Sequence, residues 1–296
     1  MDIIRRKFIF LVFSGALVLA SIAALSLWGL NLGIDFTGGS LLEVEFRGNR
    51  PAAREVKSAL AALNIGSVAV QPADTWGMIL RFRHVDESAH QKILEVLRSY
   101  GPLTEKRFDA IGPSIGAQLK RRAALAIAAA IAAIVIYIAF AFRQVSKPVS
   151  SWKYGVVAVA ALIHDVLIPT GVFAALGRFR GAEIDSLFVT ALLTILGFSV
   201  HDTIVVFDRI RENLRNLKHP EPYGETVNRS VNDTMTRSIL TSFTVILVLA
   251  AIFFFGGVST QYFALALILG IIFGTYSSIF VASPLLVIWD SLTYKR

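Results

Sequence analysis

Two His–Asp pairs lie inside long apolar segments of this chain, and one arginine stands at the border of a third segment. The pairs are His164–Asp165 and His201–Asp202, and the arginine is Arg237. A carboxylate in the hydrocarbon core of a membrane costs at least about 2.5–3.5 kcal/mol on insertion scales, so it needs a partner or a function. Carboxylates at this depth are typical of proton relays. We therefore predict that Asp202 and Asp165 handle protons.

The groups beside these carboxylates each have two interpretations. Arg237 either extends to the membrane interface or points inward and pairs with Asp202. His164 and His201 either pack against neighbouring helices or add titratable groups to the same pathway. The sequence leaves both alternatives open.

The chain lacks the residues that several kinds of catalysis require. Zinc needs three or four converging ligands, and neither histidine of the two pairs has a second ligand four residues away. No Walker-type GxxxxGK[ST] motif is present, and Gly38–Gly39 alone indicates a turn rather than a phosphate site. No serine is singled out as a nucleophile. We expect no enzymatic activity, no metal and no cofactor.

The composition indicates a membrane protein. Of 296 residues, 55% are hydrophobic and only 17% are charged, where soluble domains have about 25%. The mean hydropathy is +0.63. The net charge of +8 is better explained by basic loops at a lipid surface than by nucleic acid, which we do not expect as a partner. Cysteine is absent, which permits an oxidising compartment.

Six apolar segments have the length of about 20 residues that a helix needs to cross a membrane. We interpret the first as an uncleaved span rather than a signal peptide, because it is too long and lacks a small-residue cleavage pattern. The predicted spans are Phe8–Leu30, Ala123–Phe142, Trp152–Leu176, Leu187–Phe207, Ile239–Gly257 and Tyr262–Trp289.

The distribution of Lys and Arg predicts the orientation of these spans. There are 3 before the first span, 3 in residues 143–153 and 6 in residues 208–238, against 2 in residues 177–186 and none in 258–261. Basic loops stay in the cytoplasm. Both termini and the loop 208–238 are therefore predicted to be cytoplasmic.

Residues 31–122 are predicted to form one extracytoplasmic domain between the first span, 1–30, and a five-helix bundle, 123–296. Alternating and helical patterns give the order β-α-β-β-α-β of a ferredoxin-like split βαβ unit. A turn with Pro72, Asp74 and Gly77 separates the second and third strands. The predicted elements are Leu41–Phe46, Pro51–Leu63, Ser67–Gln71, Met78–Arg83, Asp86–Tyr100 and Leu103–Ala110.

The membrane segments also contain helix breakers and small residues. Pro169 and Pro284 lie within the third and sixth spans, where neighbouring groups must satisfy the freed backbone. Gly270 and Gly274 form a small-xxx-small pattern, which favours close helix packing.

Three motifs together resemble the SecF family, the smaller subunits of SecD–SecF protein-export complexes. The resemblance covers essentially the whole chain. GIDFTGG follows the first span and contributes the signature residues Gly33, Asp35, Phe36, Gly38 and Gly39. The other motifs are VHDTIVVFDRIREN, which includes Asp202, and SVNDTMTRSILTS at Ser230–Ser242.

The resemblance implies a bacterial inner-membrane protein of the resistance-nodulation-division superfamily. Its six helices are expected to pair pseudosymmetrically with those of SecD. The implied function is proton-driven assistance to late export, with the SecYEG channel and the unfolded translocating polypeptide as further partners besides lipid. The family pattern maps its proton pathway onto Asp202 and Arg237. In place of His201 the family commonly has Asn, so this histidine's role stays open. Alternatives are a proton-coupled small-solute exporter of the same superfamily or a scaffold that only stabilises SecD.

Overall fold

Long apolar helices dominate the chain. The computed structural model describes residues 2–73, 75–141, 150–217, 219 and 221–294. Within these residues six helical spans have the length and composition to cross a membrane, which confirms the prediction. The chain divides into two units: one of Met1–Leu30, Ala126–Ala182 and Leu187–Arg296, the other of Asn31–Leu125 with Glu183–Ser186.

Four helices, the fifth to the eighth, are longer than the apolar runs that predicted them, because polar turns extend them. The fifth helix begins at Pro113 and the eighth at Tyr223, so Arg237 lies inside a helix rather than in front of one. Residues 143–149 of the predicted loop 143–153 lie outside the described residues. The long helices are α1 (Lys7–Trp28), α5 (Pro113–Ala141), α6 (Ser151–Arg180), α7 (Ser186–Arg215), α8 (Tyr223–Phe255) and α9 (Val258–Ser277).

The sixth span is not a continuous α-helix. A π-helical turn, Ser278–Ala282, joins α9 to α10 (Ser283–Tyr294), with Pro284 just after it. The hydroxyl of Ser283 donates to the carbonyl of Ser278 at 2.9 Å. A side chain of the same helix therefore satisfies a carbonyl at the irregular turn. Such turns frequently mark functional sites.

Small residues let the membrane helices approach closely. A Cβ placed on Gly270 would lie 2.2 Å from the side chain of Ile195, and one on Gly171 would lie 2.4 Å from Cβ of Ser21. A Cβ placed on Gly274 would lie 3.2 Å from Cβ of Ser199. The predicted close-packing face of Gly270 and Gly274 is thus confirmed, and it lies against α7. Apolar side chains fill the rest of this core, among them Tyr154, Val206, Phe207, Val231 and Leu286.

The second unit is the predicted split βαβ domain. Four antiparallel strands have the order β2-β3-β1-β4, and two helices supply the apolar side chains that cover one face. Its core includes Leu42, Val44, Leu80, Ile93 and Leu97, all at most 1% exposed. The elements are α2 (Ile34–Thr37), β1 (Gly39–Phe46), α3 (Ala53–Ala61), β2 (Ala69–Ala73), β3 (Gly77–Phe82), α4 (Glu87–Arg98) and β4 (Leu103–Ile111).

The prediction for Pro72 was wrong. It was placed in a turn, but it belongs to β2 and lies opposite Met78. β2 is an edge strand, where a residue without a backbone N–H is tolerated. Asp74 of the predicted turn lies outside the described residues.

Candidate proton site within the membrane

Asp165 lies on α6 and is fully buried. Three donors surround its carboxylate. Nδ1 of His164 donates at 2.8 Å and the hydroxyl of Ser277 at 2.7 Å, and the hydroxyl of Ser199 on α7 is the third donor. A buried carboxylate is stable only when its oxygens are bonded in this way. The site therefore holds Asp165 between α6, α7 and the end of α9.

Asp202 lies on α7 and is 8% exposed. Its two oxygens have separate donors. The hydroxyl of Ser238 on α8 donates to Oδ1 at 2.5 Å, and the hydroxyl of Ser278 donates to Oδ2. Asp202 and Ser199 are three residues apart, so they share one face of α7. The hydroxyls of the consecutive residues Ser277 and Ser278 therefore bind the two carboxylates, Ser277 that of Asp165 and Ser278 that of Asp202.

Each of these two turn hydroxyls has a second acceptor. Ser277 reaches the carbonyl of Gly274 at 3.1 Å, and Ser278 reaches the carbonyl of Thr275 at 3.0 Å. A hydroxyl has one proton to donate and rotates to suit its partner. A protonated carboxyl group can itself donate to the serine oxygen, whose hydrogen then turns to the carbonyl. Each of the two serines therefore has an acceptor in either protonation state of its carboxyl group.

A row of hydroxyls on α8 extends the polar lining. Ser230, Thr234, Ser238 and Ser242 recur every fourth residue and are all buried. Ser242 is hydrogen-bonded to the hydroxyl of Thr275. Sequence reasoning missed this row, although its four-residue spacing marks one face of a helix. The row lies within the motif SVNDTMTRSILTS, Ser230–Ser242.

The pairing of Asp202 with Arg237 is one of the two alternatives that the sequence leaves open, and it does not occur among the described residues of this structure. Ser238, the next residue, points to Asp202, whereas Arg237 is exposed, and no ion pair joins Arg237 to Asp202 within the described part of the chain. Successive residues of a helix point about 100° apart. The position of Arg237 along the sequence therefore does not determine which side of the helix its side chain faces.

The two histidines differ in environment. His164 is 4% exposed, and its ring lies 6.2 Å from that of Tyr276. Its Nε2 atom is buried without a hydrogen-bond partner among the described residues. His201 is exposed. The structure therefore brings His164 into the site with Asp165 and leaves His201 outside it.

The signature residues lie in the other unit. Gly33 and Phe36 are buried, and Asp35 accepts hydrogen bonds from Ser186. Gly38 and Gly39 have positive φ angles of 72° and 137°. Four of these residues lie between α1 and β1, and Gly39 is the first residue of β1.

Six apolar spans with buried carboxylates and a split βαβ domain define a multi-pass membrane protein with ionisable groups inside its helical bundle. Two family profiles match this chain. "Protein export membrane protein SecD/SecF, C-terminal" matches residues 92–292, and "SecD/SecF GG Motif" matches residues 29–49. The chain belongs to the SecD/SecF family of protein-export membrane proteins.

Individual relatives agree with this assignment. "Protein translocase subunit SecF" of Thermobaculum terrenum is 44% identical, and that of Anaerolinea thermophila is 40% identical; each match covers 100% of this chain and 96% of the relative. The crystal structure of SecDF from Thermus thermophilus superposes with a TM-score of 0.86 at 31% identity. That match covers 98% of this chain but only 39% of the SecDF chain.

Proposed function

We propose that this chain is an accessory subunit of the Sec translocase that acts with SecD and uses a proton gradient to promote late export. The observation that carries the proposal is the binding of Asp165 and Asp202 by consecutive hydroxyls, those of Ser277 and Ser278. The assignment to protein export rests on family membership. The role of SecD as partner is supported by the match to SecDF, of which this chain spans 39%.

In the proposed mechanism, a proton that reaches Asp202 changes how α7 is bound to its neighbours. The ionised carboxylate accepts from hydroxyls on α8 and on the π-helical turn. Protonation replaces two charge-assisted hydrogen bonds by weaker neutral ones, and charge-assisted bonds are roughly twice as strong. The helices are then freer to shift, and Asp165 can respond through Ser277 of the same turn.

Arg237 enters the proposal as a partner in a different arrangement of helices. In the present one its side chain is exposed and Ser238 occupies the position at Asp202. Rotation of α8 by about 100° would exchange the two residues. We therefore propose that pairing of Asp202 with Arg237 belongs to another step of the cycle.

The energy available from the gradient matches this task. One elementary charge that moves through 100 mV is worth about 2.3 kcal/mol. A two-state equilibrium shifts about tenfold for each 1.4 kcal/mol, so one proton suffices to change the populations of two helix arrangements.

The orientation of the chain follows from its basic loops. We propose an inner-membrane location with both termini and residues 208–238 in the cytoplasm, and with the βαβ domain on the extracytoplasmic side. SecYEG and the unfolded polypeptide that leaves it are the proposed further partners. The edge strands β2 and β4 offer backbone groups to which an extended polypeptide could add.

The decisive experiment uses the Asp202→Asn variant, reconstituted with SecD and SecYEG in vesicles, with export measured with and without an imposed proton gradient. Asp208→Asn, on the same helix but exposed and paired with Arg211, is the matched control. We expect Asp202→Asn to assemble normally and to lose the gradient-stimulated part of export, and Asp208→Asn to retain it.

The same experiment separates the alternatives. Full gradient stimulation of Asp202→Asn would refute the proton role. A scaffold would support export whenever the variant assembles, so loss of export with normal assembly excludes that role. Proton-coupled release of a small solute, with no effect on protein export, would instead identify an exporter.

A further inference from the structure

The signature segment Gly33–Gly39 forms a turn that is bound to the start of α7. Ile184 donates its backbone N–H to the carbonyl of Asn31 at 2.8 Å, and Gly33 donates to the carbonyl of Ile184 at 2.8 Å. Leu32 and Ile184 thus form a short parallel bridge. A Cβ on Gly33 would lie 3.3 Å from the carbonyl oxygen of Ile184, so glycine permits the close approach.

Asp35 caps α7 from a distant part of the chain. One carboxylate oxygen of Asp35 accepts from the backbone N–H of Ser186 at 2.8 Å and also from the hydroxyl of Ser186. Ser186 is the first residue of α7. The first N–H groups of a helix have no partner within it, and a carboxylate there also interacts favourably with the helix dipole. Asp35 therefore stabilises the end of α7 that leads to Asp202.

The two glycines that close the motif place it against two further elements. Gly38 has φ of +72°, and a Cβ there would lie 2.8 Å from Cα of Pro113, the first residue of α5. A Cβ on Gly116 would lie 2.7 Å from the backbone nitrogen of Gly38. Gly39 is at +137° and begins β1, with the carbonyl of Phe82 2.9 Å from a Cβ position. One short segment thus contacts the first turns of two spanning helices and the edge of the central strands.

We propose that Asp35 is a positioning residue that fixes the first turn of α7, the helix that carries Asp202. Asp202 is 16 residues from Ser186 on one continuous helix, a rise of about 24 Å. A stiff helix transmits an axial displacement along its length. The inference rests on the proposed function, because the helix whose first turn Asp35 fixes carries the proton-responsive carboxylate Asp202.

The first test measures the cap itself, in a way that does not depend on protons. Amide hydrogen exchange in the first turn of α7 is compared between the full chain and its Asp35→Ala variant. We expect exchange there to rise about fivefold, as loss of a typical cap predicts, and to remain unchanged elsewhere in α7. Glu95→Ala, at an exposed position of α4, is the control. Unchanged exchange at Ser186 would refute the positioning role.

The second test measures coupling. Export per assembled complex is measured against the size of the proton gradient for Asp35→Ala, Asp35→Asn and Glu95→Ala. We expect Asp35→Ala to need a larger gradient for half-maximal export, and Asp35→Asn, which keeps an acceptor, to lie between it and the wild type. A purely structural role would lower the amount of complex without changing this dependence and would overturn the proposal.

A cross-link tests whether the contact between Asp35 and Ser186 stays closed during export or has to open. The chain has no cysteine, so Asp35→Cys/Ser186→Cys can be joined selectively by a short bifunctional reagent. We expect the cross-link to restore the gradient dependence that the unlinked double variant loses. Inactivity of the linked protein would overturn the fixed-contact proposal. If Asp202→Asn retained full stimulation while Asp35→Ala raised exchange, the proposed function would fail and the cap would stand.

Discussion

Ser277 and Ser278 are consecutive residues, yet their hydroxyls donate to two different carboxylates, those of Asp165 and Asp202. Adjacent residues of a helix point about 100° apart, and the change from α- to π-helix at Ser278 widens the turn here. A rotation of this turn moves both donors together. We therefore propose that protonation of one carboxylate alters the hydrogen bonds of the other through this turn, without direct contact between the two carboxylates.

Ser278→Ala removes one of the two donors of Asp202 and leaves only Ser238. Hydrogen bonds to charged groups contribute about 1.5–3 kcal/mol, so we expect gradient-stimulated export to fall by about tenfold or more. Ser278→Thr keeps the hydroxyl and should retain most activity. Ser291→Ala, an exposed serine on α10, is the control. Wild-type stimulation in Ser278→Ala would show that this hydroxyl has no part in the response.

Gly270→Ala tests the close packing of α9 on α7. The added methyl group overlaps the side chain of Ile195, and overpacking of this kind costs about 1–3 kcal/mol. We expect a lower thermal stability in detergent, recovered in part by Gly270→Ala/Ile195→Ala, because the second change removes the overlapping atoms. Gly197→Ala on α7 is the control, since its Cβ position meets no described atom within 4 Å. Equal stability of Gly270→Ala and Gly197→Ala would contradict the packing.

The sequence predicted those features that depend on the number and spacing of apolar residues. The six spans and the strand order follow from patterns that burial imposes. The direction of Arg237 does not, because position along a helix gives depth but not which side faces a neighbour. The serine donors of Asp165 and Asp202 were also missed, since serine is common everywhere and only Ser238 belongs to the four-residue repeat on α8. The π-helical turn has no sequence signal beyond the nearby Pro284.

The two histidines should respond differently to removal. His164→Ala takes one of three donors from the fully buried Asp165, and a buried polar group that loses a hydrogen-bond partner typically costs about 1–3 kcal/mol. His201→Ala changes an exposed side chain and should alter stability by no more than about 0.5 kcal/mol. Thermal unfolding of the purified chain in detergent distinguishes the two. A His201→Ala variant as unstable as His164→Ala would contradict the difference in burial.

The burial of Glu183 beside Arg81 makes the stability of the chain depend on pH. The two side chains approach to 2.6 Å and are 17% and 18% exposed. Burial raises the pKa of Glu183 above its ordinary 4.5, and the opposing attraction of Arg81 does not cancel this effect. A raised pKa means that the folded state binds this proton more tightly than the unfolded chain. The contribution of Glu183 to stability is therefore fully present below 4.5 and is lost as the pH rises through the raised value.

Asp86, the N-cap of α4, should show the opposite dependence. The backbone N–H of Ala89 and the hydroxyl of Ser88 lower the pKa of Asp86 below 3.8, so its contribution is present above that pH and is lost as the pH falls. Melting temperatures of the full chain, of Glu183→Gln and of Asp86→Asn are compared between about pH 3 and pH 8, a range that spans both ordinary values. We expect the advantage of the wild type over Glu183→Gln to shrink as the pH rises, and its advantage over Asp86→Asn to grow. If the melting temperatures of the two variants changed with pH in the same way, neither carboxyl group would have the environment described.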